Sequence, residues 1–254
     1  MKKAIIAISK DERDMDCWID YHKTLGFDIL CYDDNDKSTL KDGEGFRVFK
    51  DWKWADKTMM QPEFYVGILR MYGGYYDWML PLDCDEYVVY DGDLDEKLGG
   101  LMEFGGFCPN WLVFHSGGNE KRMSGRVFDN YLCRKVGPFS LVKTFINPKY
   151  FVNMLNPHAI VSTRPCVGAS GEIMREGVEE RYYYEHCFAS KPTTDNVWIN
   201  HYFTKSREDW VNKMGRGYKD GHEPRNWDDW DWAHESSIED NRCSMLYKKI
   251  KGIL

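Results

Sequence analysis

The chain of 254 residues is marked first by what it does not have. It has no apolar run approaching the ~20 residues needed to span a bilayer. Its opening, Met1-Lys2-Lys3 followed by Ala4 to Ile8, starts like a signal peptide. The apolar run is too short for one, and Lys10-Asp11-Glu12-Arg13-Asp14 follows at once. The eight cysteines, at 17, 31, 84, 108, 133, 166, 187 and 243, contain no CxxC pair and no tight Cys/His cluster of the kind that holds zinc. Reduced, buried thiols and a cytoplasmic or membrane-peripheral setting are the expectation. There is no basic excess: 34 Lys and Arg stand against 41 Asp and Glu, for a net charge of −7. That disfavours a nucleic-acid partner, which usually needs a basic face. An anionic small substrate stays open, because a bound metal can supply positive charge. No linker rich in Pro, Gly or Ser, no repeat and no low-complexity tract divides the chain, so a single domain over 1–254 is expected.

What is present points to an α/β protein with a buried core, since 43% of the residues are hydrophobic. Ala4 to Ile8 is a continuous apolar run that suits a strand covered on both faces. Met15, Trp18, Ile19, His22 and Leu25 then recur at helical spacing, with Gly26 as the stop. Asp28 to Tyr32 reads as a second strand and Val48-Phe49 as part of a third. A helix through Met60, Phe64, Ile68 and Met71 closes at Gly73-Gly74. Tyr76 to Leu82 reads as a buried strand running into Asp83-Cys84-Asp85-Glu86. Strand, helix, strand in this order predicts a mostly parallel central sheet flanked by helices. In such a sheet the polar loops 9–12, 33–36 and 83–86 meet beyond the carboxyl ends of the strands, where ligands bind. Phe107 to His115 reads as one strand, entering the turn Ser116-Gly117-Gly118-Asn119. Segments 206–214 and 236–249 read as helices, with the Trp/Asp-rich stretch 226–232 between them.

The chemistry centres on Asp83-Cys84-Asp85. Alternate residues of an extended segment point the same way, so both carboxylates can face one site while Cys84 faces the core. Hard cations such as Mg²⁺ and Mn²⁺ take oxygen ligands and share them with substrate phosphates. Two surface acids in a turn are the plainer reading. The place of the pair, after a buried strand in an α/β chain, favours the metal–diphosphate reading.

A longer pattern accompanies the pair. It runs through Lys10-Asp11-Glu12, Trp18-Ile19-Asp20-Tyr21-His22, Leu25-Gly26-Phe27-Asp28, Tyr32-Asp33-Asp34-Asn35-Asp36-Lys37-Ser38, Gln61, and Trp78 to Tyr87. It continues with Lys143-Thr144-Phe145-Ile146-Asn147-Pro148, Asn156-Pro157-His158, Ile199 to Ser206, then Glu208, Lys213, Arg216-Gly217 and Ile238-Glu239-Asp240. In order and over nearly the whole chain, this resembles glycosyltransferase family 92 and the related family-2-like enzymes. The chain departs from that pattern at Asp11, Asp34 and Asp36, where the family has Asn, Asn and Ser or Thr, at positions that bear on base and ribose contacts.

The resemblance implies a single Rossmann-like GT-A domain, with a nucleotide-binding half over about 1–105 and an acceptor-binding half over about 106–254. It implies Mn²⁺ or Mg²⁺ and inverting transfer of a sugar from a nucleotide-diphosphate sugar, a UDP-sugar being the expected donor, to a glycan or glycolipid acceptor. Asp83 and Asp85 would hold the metal and ribose, with His201 either a third metal ligand or a core hydrogen-bonder. Ser9, Lys10, Glu12, Asp33, Asn35 and Gln61 would line the nucleotide site. Lys205 or Lys143 would pair with the diphosphate, and His158 would be structural. The carboxylate that takes the acceptor proton would be Glu120, past the Ser116–Asn119 turn, or else Glu185 or Asp209. Trp111 and Trp198 would stack on acceptor sugars or serve as core. Three rivals share parts of the pattern. A haloacid-dehalogenase-type phosphatase carries D-x-D after its first strand, and a sugar nucleotidyltransferase carries a Gly-rich loop that Ser9 to Glu12 lacks. The third is an inactive nucleotide-sugar or glycan-binding protein on the same fold.

Overall fold

The structure, a computed structural model, describes residues 1–37, 40–52, 60–174, 177–179, 182–184, 187–217 and 224–253. The expected Ser38 position and the base candidate Glu185 lie outside the described residues. The first half runs β1 (Lys3–Ser9), α1 (Met15–Thr24), β2 (Phe27–Asp33), β3 (Phe46–Phe49), α2 (Met60–Tyr72), β4 (Trp78–Pro81), β5 (Glu86–Tyr90) and α3 (Leu94–Gly99). Then follow β6 (Gly106–Cys108), β7 (Asn110–Phe114), α4 (Val127–Asn130), β8 (Cys133–Arg134), β9 (Phe139–Val142), β10 (Phe145–Ile146), β11 (Phe151–Asn156), β12 (Ala159–Ser162), β13 (Cys166–Gly168) and β14 (Ile173–Met174). The chain closes with β15 (Gly177–Glu179), β16 (Tyr182–Tyr184), β17 (Val197–Tyr202), α5 (Arg207–Arg216), α6 (Trp227–His234), β18 (Ile238–Glu239) and α7 (Arg242–Lys251).

An eight-stranded sheet, ordered β14-β13-β6-β10-β4-β1-β2-β3, forms the centre. Its β4-β1-β2-β3 portion is parallel throughout. The period-two alternation of β1 explains why it is central. Ile5 and Ala7 pack in one core with Met15, Trp18 and Tyr21 of α1, while Ala4 and Ile6 pack in a second with Phe64, Tyr65 and Ile68 of α2. Both faces are covered, as a near-continuous apolar strand requires. Burying each isoleucine side chain contributes about 1.5–3 kcal/mol.

The expected mostly parallel sheet does not continue beyond this portion, where one further pair, β6 with β13, is parallel. Beyond β4 the sheet is mixed, because β10 joins it antiparallel and pairs antiparallel with β6. A four-stranded sheet, β11-β12-β16-β15, is antiparallel. A third sheet, β18-β8-β7-β17-β5, has one parallel pair, β7 with β17. The segment expected as one strand, Phe107 to His115, is two, β6 and β7, in different sheets. Pro109 falls between them; it has no N–H for a ladder, so the chain changes sheets there. The expected helix over 236–249 begins later, after the short strand β18, and the Trp/Asp-rich stretch is itself helix α6. Asn226 caps α6 in a capping box with Asp229.

Candidate functional site

The acidic turn sits at the carboxyl end of β4, and the α1 motif holds it there. Trp18 donates its indole N–H to the Glu86 carbonyl at 2.8 Å, and Tyr21 its hydroxyl to the Val88 carbonyl at 2.7 Å. His22 accepts the Val88 amide at 3.3 Å. Three residues of one helix thus bind the backbone of β5 just past Asp83-Cys84-Asp85. The turn itself closes through the Glu86 amide on the Asp83 carbonyl at 3.0 Å and the Asp83 amide on Glu86 Oε2 at 2.9 Å. Cys84 points inward, 4% exposed, with its Sγ 3.4 Å from the Ile8 carbonyl.

The loops after β1, β2 and β4 do meet at one edge. The Asp34 amide binds the Ser9 carbonyl at 2.9 Å, and the Asp11 amide binds Asn35 Oδ1 at 2.6 Å. Asn35 Nδ2 also reaches Asp33 Oδ1 at 2.7 Å, while Asp33 Oδ2 and Ser9 Oγ are buried without a hydrogen-bond partner among the described residues. Two polar atoms left unsatisfied at the ends of neighbouring strands are costly unless a ligand meets them.

Antiparallel pairing brings the late segment in. His201 is opposite Glu86 in the β5–β17 ladder, and the Tyr202 amide binds the Asp85 carbonyl at 2.9 Å. His201 Nε2 therefore lies 3.5 Å from Asp85 Oδ2, with its ring 4.5 Å from the Trp111 ring. Its Nδ1 is buried with no partner among the described residues. No backbone group holds the ring among the described contacts, unlike His158, whose Nδ1 lies 2.8 Å from the Val142 carbonyl.

Each acid of the turn has its own lysine. Lys143, fully buried between β9 and β10, places its ammonium 2.8 Å from Asp83 Oδ2 and 3.2 Å from Glu86 Oε2. Lys213 places its ammonium 2.5 Å from Asp85 Oδ2 and 2.6 Å from the Phe203 carbonyl. Gln61 reaches Asp83 Oδ1 at 3.3 Å. Burial pushes the carboxyl of Asp83 up, but Lys143 more than offsets it and holds the group below the usual range. Burial likewise opposes charge on Asp85, and Lys213 and His201 hold it well below. Glu86 goes the other way: burial raises it well above the ordinary glutamate value, with Asp83 and Asp85 adding to the rise against Lys143. Burial also lowers the Lys213 amine despite Asp85, and Arg225 and Lys205 add to that lowering.

Beside the turn opens a cleft of about 780 Å³, a size ordinary for a small-molecule site. Its walls come from the β1–α1 loop, Asn35, Arg122 and the inner face of α5. Seven lining residues are Lys or Arg (10, 13, 37, 122, 205, 213, 216) and four are Asp or Glu (11, 12, 16, 209). These cations are largely paired: Asp34 binds Lys10, Asp14 binds Lys205 and Arg122, and Asp85 binds Lys213 from just outside the lining, so among the described residues seven cations face seven carboxylates and an anionic ligand competes with those partners. Lys205 binds Asp14 at 2.7 Å and Glu12 at 3.5 Å, and takes a left-handed φ of 52°. A non-glycine residue there stores about 1–2 kcal/mol of strain, a feature common at binding sites. Arg216 pairs with Glu12 at 3.2 Å, and Arg122 joins Asp209 at 2.8 Å and also Asp14.

Of the residues expected from sequence, Ser9, Lys10, Glu12, Asn35, Lys205 and Asp209 line this cleft. Asp83, Asp85, Gln61 and His201 sit together at the acidic turn, joined to the cleft by Lys213. Lys143, expected at the diphosphate, lies behind Asp83 as a buried counter-ion. Asp209 is occupied: it forms the α5 capping box with Ser206 and pairs with Arg122. Glu120 is exposed and paired with Arg207 at 3.3 Å. Trp111 and Trp198 are buried, 9% and 0% exposed, so the core reading holds for both. The residues not singled out for the site, Asn212, Lys213 and Arg216, carried a signal. With Asp209 they stand at i, i+3, i+4 and i+7, one face of α5.

Among the described residues no group of three His, Cys, Asp or Glu side chains is arranged to hold a metal ion. Asp83, Asp85 and His201 therefore do not form a ready-made cage, because each carboxylate is drawn to its own lysine. A smaller set fits. Two donors bound at about 2.1 Å to one cation lie about 3–3.5 Å apart, and Asp85 Oδ2 and His201 Nε2 are 3.5 Å apart. Mg²⁺ is commonly held by one or two carboxylates, with substrate phosphates and water completing its shell. Asp85 and His201, with Asp83 adjacent, could hold a divalent cation that arrives with a diphosphate. A scan against protein-family models finds no match for this chain, and a search of curated proteins finds none either.

Proposed function

We propose that the chain is a metal-dependent glycosyltransferase with a single GT-A domain, taking its donor from a nucleotide-diphosphate sugar, a UDP-sugar by the sequence resemblance. The observation that carries this reading is the juxtaposition of the Asp83-Cys84-Asp85 turn with a cleft lined by seven Lys and Arg side chains, one of which, Lys213, binds the turn itself. At the ends of β1 and β2, Ser9 and Asp33 carry side-chain oxygens with no partner among the described residues, and Ser9 and Asn35 line the cleft where a nucleoside would be received. Lys205, Lys213 and Arg216 line the cleft as cations for a diphosphate. The leaving diphosphate gains negative charge as the sugar bond breaks, and fixed cations stabilise it at that stage. Bound Mn²⁺ or Mg²⁺ would add Lewis-acid stabilisation of the same oxygens. Glu120, exposed and ion-paired with Arg207, is the first candidate for the proton acceptor of the glycan or glycolipid hydroxyl, with Glu185 and Asp209 as the alternatives. The proposed setting is cytoplasmic or membrane-peripheral; no helix among the described residues is long and apolar enough to cross a membrane.

The decisive test is a thermal-shift panel of nucleoside diphosphates with and without Mn²⁺, followed by donor hydrolysis. Ligands that bind only the folded state raise apparent stability. A shift with UDP that needs Mn²⁺, together with sugar release, supports the enzyme. Binding without any turnover supports the second reading, a nucleotide-sugar-binding protein, which gains weight because Asp209 and Glu120 each already have an ionic partner. No shift with any nucleotide defeats both.

A further inference from the structure

Resting on the nucleotide-sugar reading of the site, one arrangement goes further. Asp85 Oδ2 is the oxygen 3.5 Å from His201 Nε2, and it is the same oxygen that takes the Lys213 ammonium at 2.5 Å. The position a divalent cation would take on this carboxylate is thus already held by a cation belonging to the chain. A divalent ion and an ammonium cannot crowd onto one buried oxygen without strong repulsion. Lys213 also belongs to the cleft wall, on the α5 face it shares with Arg216. A lysine ammonium on its flexible four-carbon stem can move between two such positions while the helix stays fixed. Lys205, by comparison, is tied to both Asp14 and Glu12. Among the described residues Lys213 has one carboxylate, Asp85, and one carbonyl, Phe203.

We propose that Lys213 is an exchangeable counter-ion: it neutralises Asp85 in the free protein, yields that oxygen to the divalent cation, and transfers its ammonium to the diphosphate. Metal and nucleotide then bind cooperatively. Metal alone leaves the displaced Lys213 ammonium beside Lys205 and Arg216, which already share the Glu12 carboxylate, whereas metal with a diphosphate brings a new anion that receives it. The coupling is reciprocal, so each ligand tightens the other by the same factor.

The test uses the full chain and measures Mn²⁺ binding directly, by the spin-resonance signal of free Mn²⁺, and UDP binding by calorimetry. Lys213→Met and Lys213→Gln are compared with the wild type, with folding checked by circular dichroism; the glutamine keeps a donor for the Phe203 carbonyl. Without UDP, both variants should bind Mn²⁺ at least tenfold more tightly than wild type. With Mn²⁺ present, both should bind UDP at least tenfold more weakly, so that the wild-type cooperativity is largely lost. Unchanged or weaker Mn²⁺ binding in the variants overturns the exchange, even where UDP binding still needs metal; Lys213 is then a permanent counter-ion. UDP binding to wild type that is equal in chelator overturns it as well. Absence of both Mn²⁺ and UDP binding from every form removes the reading of the site and the exchange with it.

Discussion

The Lys143 ammonium lies 2.8 Å from Asp83 Oδ2, although Lys143 is wholly buried and the Asp83 side chain is 34% exposed. One partner faces the core and the other the site, so a charge in the interior sets the electrostatics of a carboxylate at the surface of the turn. Glu86, buried on the other side of the same ammonium, closes the turn through the Asp83 amide. The acidic turn and its support are one ionic unit spread over β4, β5 and the β9–β10 connection.

Removing the interior charge should therefore cost stability first. Lys143→Met leaves Asp83 and Glu86 together with no cation between them, and breaking a buried pair this way costs about 3–5 kcal/mol. The expected result is a lower midpoint in urea at pH 7, recovered in part by adding Glu86→Gln. A single variant as stable as the wild type would show that the pairing is energetically idle.

Asp83→Asn and Asp85→Asn should each lower transfer by about a hundredfold or more, the scale of losing roughly 3 kcal/mol of transition-state stabilisation. Their stabilities should differ. Asp83→Asn leaves Lys143 with Glu86, whereas Asp85→Asn leaves buried Lys213 with only the Phe203 carbonyl. Melting curves should place the Asp85 variant below the Asp83 variant; the reverse order would contradict the assigned partners.

Ser206 caps α5 and receives the Asp209 amide at 3.1 Å, returning its hydroxyl to Asp209 Oδ2 at 2.7 Å. Ser206→Ala should cost about 1 kcal/mol. Since α5 carries Lys213 and Arg216 on its cleft face, UDP affinity in the presence of Mn²⁺ should fall several-fold. Unaltered affinity in a destabilised variant would detach the helix start from the site.

His22 sets a pH dependence. Its Nδ1 lies 3.0 Å from the Trp18 carbonyl and its Nε2 accepts the Val88 amide, a pattern only the neutral ring satisfies. Burial brings its pKa down from 6.5 to about 3. The unfolded chain takes up the proton below pH 6.5 and the folded one does not, so stability is lost as pH falls from 6.5 towards 3. The slope from this one group is about 1 kcal/mol per pH unit. His22→Gln should remove that share of the slope between pH 6 and 4 in urea titrations. An equal slope in the variant would show that His22 titrates normally.

Much of the first half could be read from residues alone, and the reason is physical range. The apolar run of β1, the helical spacing of Met15, Trp18, Ile19, His22 and Leu25, and the glycine stop at Gly26 are local patterns that need no distant partner to be read. Gly26 does take a positive φ of 81°. A central strand with both faces apolar leaves few places for its neighbours, so the meeting of the loops after β1, β2 and β4 followed from their shared direction. Pro109 and the Asn226-x-x-Asp229 pattern were local signals too, a strand break and a helix start, but the reading of Phe107 to His115 as one strand and of 226–232 as a connection passed over both.

Only the tertiary structure decided the rest. Nothing local in Phe145-Ile146 or Gly106 to Cys108 says that β10 enters between β4 and β6 and runs against both, because pairing direction is set by the connections between strands. The sequence contains the acids of the turn, His201 and both lysines, but not which lysine meets which acid. Lys143 stands 60 residues from Asp83 and Lys213 128 from Asp85, and a charge acquires its partner only when the chain has folded. Residue order determined that an acidic turn follows a buried strand; long-range strand pairing and the packing of α5 decided that each acid is held by a cation of its own.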